Sequence, residues 1–331
     1  MRPGKLSESV LKRSVLKQIK TKRDEVIRGA GVGEDCAFFS LGEGQGVLLT
    51  TAPIVVEEYD NIAYDLSAIV NNVAASGGDP VGILVSTILP DKTLESVVQR
   101  LAGSVERACK SMNLQIAGGN TVISKAVNKP VLNITVIGKK DILAHNGFHE
   151  YEAGMDILMT KWAGMAGTSI LSAKEQSKLE ERLPAYIVEN AIALKDEISV
   201  MKESRIAMQV GAKGMHDVSR GGIFSALWEL AEGGNVGIEV DLKKIPMRQE
   251  TIEICELLGA NPYELYGAGS LLIVSDKGNE LIHELEKQEI PAVVIGKITN
   301  ENGKVLLNGE EVRFLDRPKN DAIEPWLRED R

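Results

Sequence analysis

The sequence predicts an α+β fold of alternating helices and strands arranged in two domains, and three observations predict it. Its 331 residues are about twice the length of a typical domain. Apolar spacing switches repeatedly between the helical period and the strand period. A charged stretch containing Asn146 and Gly147, over 139–152, breaks that pattern near the middle, placing domains at 1–150 and 151–331. With 44% hydrophobic and 26% charged residues, the chain has the composition of a globular protein and is not wholesale disordered. Aromatic residues are 4% and the net charge is -9, which argues against a general nucleic-acid binder, since that needs a basic surface and stacking rings. The basic run from Arg2 to Lys22 lacks an apolar core, and no stretch approaches the ~18 apolar residues of a membrane span, so a cytoplasmic protein is expected.

The elements follow in order. Val10, Leu11, Val15, Leu16 and Ile19 recur at helical spacing, which predicts an amphipathic helix over 7–20 with Ser7 as its N-cap. The Gly-rich loop Gly29 to Ala37 brings two acids, Glu34 and Asp35, to the start of a strand that resumes at Val47–Thr51. Adjacent carboxylates there suit Mg²⁺, which takes oxygen ligands, although a solvated turn fits them as well. Leu66, Ile69, Val70, Val73 and Ala74 predict a helix over 63–75, stopped by Ser76-Gly-Gly-Asp-Pro80. Its Asn71 and Asn72 disfavour helix and point either to a polar role near the stop or to surface placement. A strand is expected at 83–89, a helix at 94–111 and a short strand at 114–117 ending in the turn Gly118-Gly119-Asn120-Thr121. A further strand is expected at 131–138.

In the second half, strand spacing predicts 156–160, then a turn at Gly164–Gly167 and a charged helix over 173–182. Asp217-Val-Ser219-Arg220-Gly221-Gly222 precedes a helical stripe of Ile223, Ala226, Leu227, Leu230 and Ala231. The first amides of a helix have no intrahelical partner and carry the positive end of its dipole, so phosphate would be held by Ser219, Arg220 and the Gly221 and Gly222 amides. Asp217 would cap the turn or hold a metal. A Ser-Arg-Gly-Gly turn also serves purely structural ends. The order then runs strand 236–240, helix 249–258, strand 270–275, helix 279–288, strand 292–295 and a hairpin, 304–307 with 311–314, around Asn308-Gly309. The tail from Asp316 is polar, with Trp326 as its apolar anchor.

Cys109 and Cys255 fall on apolar helix stripes and read as buried thiols, and Cys36, beside two acids, reads as packing rather than a nucleophile. The histidines at 145, 149, 216 and 283 form no metal-like pair. Lys161 and Arg205 stand as cations available to phosphate or to solvent.

These motifs together, Gly33-Glu-Asp-Cys-Ala37, Val70-Asn-Asn-Val-Ala74, Gly77-Gly-Asp-Pro80, Gly118-Gly-Asn-Thr121, Asp217-Val-Ser-Arg-Gly-Gly222 and Gly237-Ile-Glu-Val240, resemble the AIR synthase-related superfamily, nearest its HypE-like branch. The resemblance implies an N-terminal domain that pairs with its twin into a β-barrel dimer, and a C-terminal α+β domain. It also implies ATP and Mg²⁺ as cofactors, held by Glu34, Asp35 and Asp217 for the metal. Asp35, Asn72, Gly118, Gly119, Asn120, Thr121, Asp217, Ser219, Arg220, Gly221 and Gly222 would hold the nucleotide. Members of this kind activate amide-type oxygens by phosphoryl transfer.

The chain departs from the family pattern at Ala52, Asn72 and Asn120, where carboxylates are usual, and it ends in Arg331 rather than in a cysteine. Each lost charge weakens the hold on a hard dication. Two functions follow: an ATP-dependent phosphoryl-transferring enzyme acting on a small molecule or a protein, or a family member without catalysis that serves as a homodimeric nucleotide- or protein-binding scaffold. Glu57, Glu58 and Asp60 are the nearest substitute acids, though they read rather as an exposed acidic loop.

Overall fold

A computed structural model of the chain describes residues 8, 9, 12, 26–28, 31–34, 36–40, 44–141 and 149–327. Of the helix expected over 7–20, Glu8, Ser9 and Lys12 are described and are helical; Asp35 and His145 lie outside the described residues. Helices and strands alternate as the α+β reading expects, and among the described residues no helix is long and apolar enough to cross a membrane. Two compact units separate. One holds residues 24–29 and 35–144; the other holds 145–331 together with residues of 1–23 and 30–34. The division is thus not a single cut at residue 150.

The first unit is a six-stranded sheet in the order β1-β2-β3-β6-β4-β5. Its strands are β1 (Val26–Arg28), β2 (Ala37–Ser40), β3 (Gln45–Val55), β4 (Asp79–Pro90), β5 (Gln115–Ser124) and β6 (Val131–Asp141). Strict alternation along β3 and β6 sends Leu48, Ile54, Leu132, Ile134 and Val136 to one face, where helix α1 (Ile62–Ala75) covers them with Leu66, Val70 and Val73. Helix α2 (Glu95–Ser111) packs on α1 through Leu101, Val105 and Cys109. The opposite face carries Leu49 beside Ile137, Val55 beside Val131 and Leu84 beside Thr135, with Val55 and Leu84 exposed. Within one chain this sheet stays open, and no closed barrel forms among the described residues.

Two expectations change here. Gly118–Thr121 is not a turn but the middle of β5, because parallel pairing with Leu84–Thr87 of β4 holds it extended. The Asp79-Pro80 stop opens β4, and Lys139–Asp141 extends β6, so neither belongs to a loop.

The second unit is built on a seven-stranded sheet, β13-β12-β9-β11-β7-β10-β8. Its strands are β7 (Asp156–Thr160), β8 (Gly214–Asp217), β9 (Gly237–Asp241), β10 (Leu271–Ser275), β11 (Ala292–Thr299), β12 (Lys304–Asn308) and β13 (Glu311–Phe314). Its helices are α3 (Met165–Lys174), α4 (Gln176–Glu180), α5 (Ala185–Ala193), α6 (Met201–Val210), α7 (Gly222–Gly234), α8 (Gln249–Leu258), α9 (Gly278–Glu286) and α10 (Glu324–Leu327). The Gly164–Gly167 turn is largely the first turn of α3, and the charged stretch 173–182 divides between α3 and α4.

Helix α7 begins where the sequence places it. Ile223, Ala226, Leu227, Leu230 and Ala231 are all buried in one core with Ile157, Ile238 and Leu272 of the sheet. At about 1.5–3 kcal/mol for each large side chain removed from water, that stripe anchors the unit.

Candidate functional site

The turn before α7 takes its shape from its two glycines. Gly221 has φ 84 and Gly222 φ 65, and a Cβ on Gly222 would lie 2.4 Å from the Tyr263 carbonyl oxygen, so no other residue fits. Both glycine amides expected to face phosphate already have partners, and so does that of Phe224 in the first turn of the helix. Gly222 donates to the Ser219 carbonyl at 3.2 Å and Phe224 to the Tyr263 carbonyl at 3.2 Å. Gly221 donates to the Asp321 carboxylate at 2.7 Å.

Asp321 was not foreseen. It comes from the polar tail, and its Oδ1 accepts from the amides of Tyr266 at 3.1 Å and Ile323 at 2.9 Å while Oδ2 accepts from Gly221. The group is buried, and burial raises its pKa from 3.8; the three amides and the Arg220 charge pull in the other direction. Arg220 itself lies over the Tyr266 ring, 4.2 Å from its centre. The anion that the turn was expected to take is therefore supplied by the chain. Trp326 anchors this tail as expected, 6% exposed.

The other predicted residues lie in separate places. Gly33 has φ 77 and packs on the far end of α7, where a Cβ would stand 2.4 Å from the Glu229 carbonyl oxygen and 2.8 Å from the Gly233 Cα. At 1.5 Å per residue, the Gly33–Glu34 loop is about 10–16 Å along the helix from the Gly221–Gly222 turn, so Glu34 does not share a cradle with it. Asp217 ends β8, 2% exposed, beside His216, whose Nε2 lies 3.3 Å from Glu229 Oε2. Among the described residues no group of three His, Cys, Asp or Glu side chains gathers that would hold a metal ion.

In the first unit, Asn72 donates from Nδ2 to Thr50 Oγ1 on β3 at 3.3 Å, and Asn120 Oδ1 accepts from the Thr121 amide at 3.0 Å. Gly118–Thr121 on β5 are separated from β3 by β6 and β4, about 14 Å at the usual strand spacing. One chain does not bring Asn72 and Asn120 together.

Lys161 is neither a free cation nor a surface one. Buried at the end of β7, it pairs with Glu203 at 2.6 Å and donates to the carbonyls of Glu197 and Ser199, each at 2.8 Å. Glu57 is exposed and pairs with Lys129, in keeping with an acidic loop. The three cysteines are buried and form no disulfide with one another, and burial raises the Cys109 thiol to about 11 and that of Cys255 to about 12.

Residues 33–139 match the N-terminal domain model of AIR synthase related proteins, and residues 152–308 match the C-terminal domain model. A Methanocaldococcus jannaschii protein provisionally named for hydrogenase expression/formation is 25% identical over 97% of this chain and 96% of its own. The PurL subunit of phosphoribosylformylglycinamidine synthase from Caldanaerobacter subterraneus is 26% identical over 87% of this chain, which spans only 40% of that subunit. Among solved structures, ThiL complexed with AMPPCP and TMP superposes with a TM-score of 0.70 at 22% identity, covering 94% of this chain and 97% of that one. HypE in complex with ATP gives 0.68 at 20% identity, covering 97% of each, and HypE in its complex with HypF gives 0.68 at 20%, covering 87% and 94%.

Proposed function

The chain belongs to the AIR synthase-related superfamily, and on that premise we propose that it is a HypE-like homodimeric scaffold, its nucleotide site depleted of carboxylates at Ala52, Asn72 and Asn120 and its phosphate turn held closed by its own tail. The observation that carries this reading is the Asp321 carboxylate on the Gly221, Tyr266 and Ile323 amides. A nucleotide phosphate reaching the Gly221 amide must first displace it, against like charge. ATP bound to HypE and AMPPCP bound to ThiL support a nucleotide as the ligand of this fold.

Among the described residues no cluster of acids gathers that would hold Mg²⁺. A hard dication takes several charged oxygens. Ala52 offers none, and Asn72 and Asn120 offer only neutral carbonyl oxygens, that of Asn120 already accepting from the Thr121 amide. Phosphoryl transfer rests on neutralising charge around the moving group, so it lies outside the proposed activity. The uncovered sheet face supports a second copy as partner: it leaves Val55 and Leu84 exposed beside Leu49 and Ile137, and β5 is an edge strand of the same sheet among the described residues. The HypE complex with HypF supports a protein partner for the assembled dimer, and cysteines that form no disulfide with one another fit the cytoplasm.

Calorimetric titration with ATP, with and without Mg²⁺, on wild type and Asp321→Asn tests the reading, with ADP release and sedimentation followed in parallel. The expected result is a dimer that binds ATP weakly and equally with or without Mg²⁺, forms no ADP, and binds about tenfold tighter as Asp321→Asn. Mg²⁺-dependent ADP formation by wild type overturns it in favour of a phosphoryl-transferring enzyme, and a monomer removes the scaffold.

A further inference from the structure

The tail is pinned at two points. Leu315 is buried and its amide donates to the Lys304 carbonyl at 2.8 Å; Asp321 is pinned by its three amides. Residues 316–320 arch between these pins over the first turn of α7, and beneath them is a cavity of about 190 Å³. Its floor and wall are apolar: Leu306, Phe224 stacked on Tyr263 with ring centres 5.0 Å apart and planes within 3°, and Phe314, which is 74% exposed.

Two polar groups face this space without commitments elsewhere. Ser225, 4% exposed, lines the cavity, and its hydroxyl hydrogen-bonds to no group of the described chain. On the rim, Arg313 is held by both oxygens of Glu311, and Lys319 lies 2.9 Å from Asp316 and 4.0 Å from Glu264. Arg317 has no carboxylate partner among the described residues, although the protein carries a net charge of -9 and 47 acidic residues.

We propose that this cavity binds a small planar organic anion, an aromatic ring bearing one carboxylate or phosphate. The ring lies against Phe224 and Phe314, where offset aromatic contact is favourable. The anionic group meets the Arg317 guanidinium, whose planar fork matches carboxylate and phosphate alike. The Ser225 hydroxyl supplies one further hydrogen bond inside the cavity. At about 190 Å³ the space is smaller than the pockets of several hundred Å³ that take drug-sized ligands, so the occupant has one ring rather than a nucleotide. The site does not depend on the nucleotide reading: it borders the Asp321-held turn only at Gly221, and the ring and anion contacts come from Phe224, Phe314, Ser225 and Arg317, none of whose groups Asp321 holds.

The test is titration of the full-length protein with benzoate and with phenyl phosphate, followed by calorimetry and by the amide resonances of residues 224, 225 and 314. Inorganic phosphate and benzyl alcohol serve as half-ligands. Saturable binding of one or both ring anions is expected, stronger than either half-ligand, and the better anion identifies the group that Arg317 takes. Arg317→Gln should weaken it about tenfold and Ser225→Ala about threefold. Phe314→Ala, a change at a side chain 74% exposed, should also weaken it about threefold. No saturable binding up to about 10 mM, or equal binding by Arg317→Gln, overturns the proposal. ATP titration of Arg317→Gln, expected unchanged, keeps this result separate from that of the nucleotide site.

Discussion

Replacing Asp321 by alanine removes one acceptor group from three amides, those of Gly221, Tyr266 and Ile323, at 2.7, 3.1 and 2.9 Å. Each intramolecular hydrogen bond contributes about 1 kcal/mol net, more when the acceptor is charged, and desolvation of the buried carboxylate offsets part of that sum. A loss of about 2–3 kcal/mol follows, or about 30- to 150-fold in the opening equilibrium of the tail. Because two of the amides belong to the body and one to the tail, the loss appears as tail release rather than as global unfolding. Hydrogen exchange over 217–226 and 316–327 should accelerate by that factor. Emission from Trp326, buried at 6% exposure, should shift to the red, with Trp326→Phe separating it from the other tryptophans.

The same carboxylate sets a pH dependence. Its docked pKa is raised above the released value near 3.8, so the docked tail binds a proton more readily. Docking is strongest below the released value and weakens as pH rises through the raised one. Exchange rates in Asp321→Ala within threefold of wild type, or tail protection that increases with rising pH, would refute the reasoning.

Other perturbations test the supports around the site. Lys161→Met strands the Glu203 carboxylate at 3% exposure and should cost about 3–5 kcal/mol in urea unfolding, while Lys161→Met with Glu203→Leu recovers most of it; equal losses in both would show that the pair is not the cause. Gly33→Ala forces a Cβ into the Glu229 carbonyl at a φ of 77 and should lower stability by about 2–4 kcal/mol, so an unchanged melting temperature counts against that contact. With its thiol raised from 9.0 to about 12, Cys255 should alkylate about a thousandfold more slowly in the native protein than in urea at pH 8. Rapid native labelling contradicts its burial.

The periodic parts of this fold were legible because burial writes a period into the chain. The α7 stripe and the alternation of β6 follow from one apolar face each, and the Gly221-Gly222 pair marked the start of α7. What had no local signature was missed. Gly118-Gly119-Asn120-Thr121 has the composition of a turn, and only its pairing with β4 makes it a strand. Helix α5 buries only Ile187, Val188 and Ala191 of a mostly apolar run, and α6 buries Glu203 and Ser204 beside Ala207, so neither shows a clean apolar stripe. Asp321 is a single acid in a polar tail, whose partners are 100 and 55 residues distant, and the same holds for Lys161 with Glu203. The candidate site was therefore readable as a set of loops, but not as loops already occupied.

Glu8 accepts from Trp228 Nε1 at 2.8 Å, and Lys12 pairs with Glu232 at 3.1 Å, across 220 positions in each case. At about 5–20 residues per second, a ribosome needs roughly 10–40 s to deliver α7 after Glu8 has left the exit tunnel. During that interval Glu8 and Lys12 lack these α7 partners, while the sheet of the first unit is completed. The order of synthesis thus inverts the order of assembly. Glu8 and Lys12 are made before the helix they bind and seated only after it, which leaves them open to a chaperone or a protease in between.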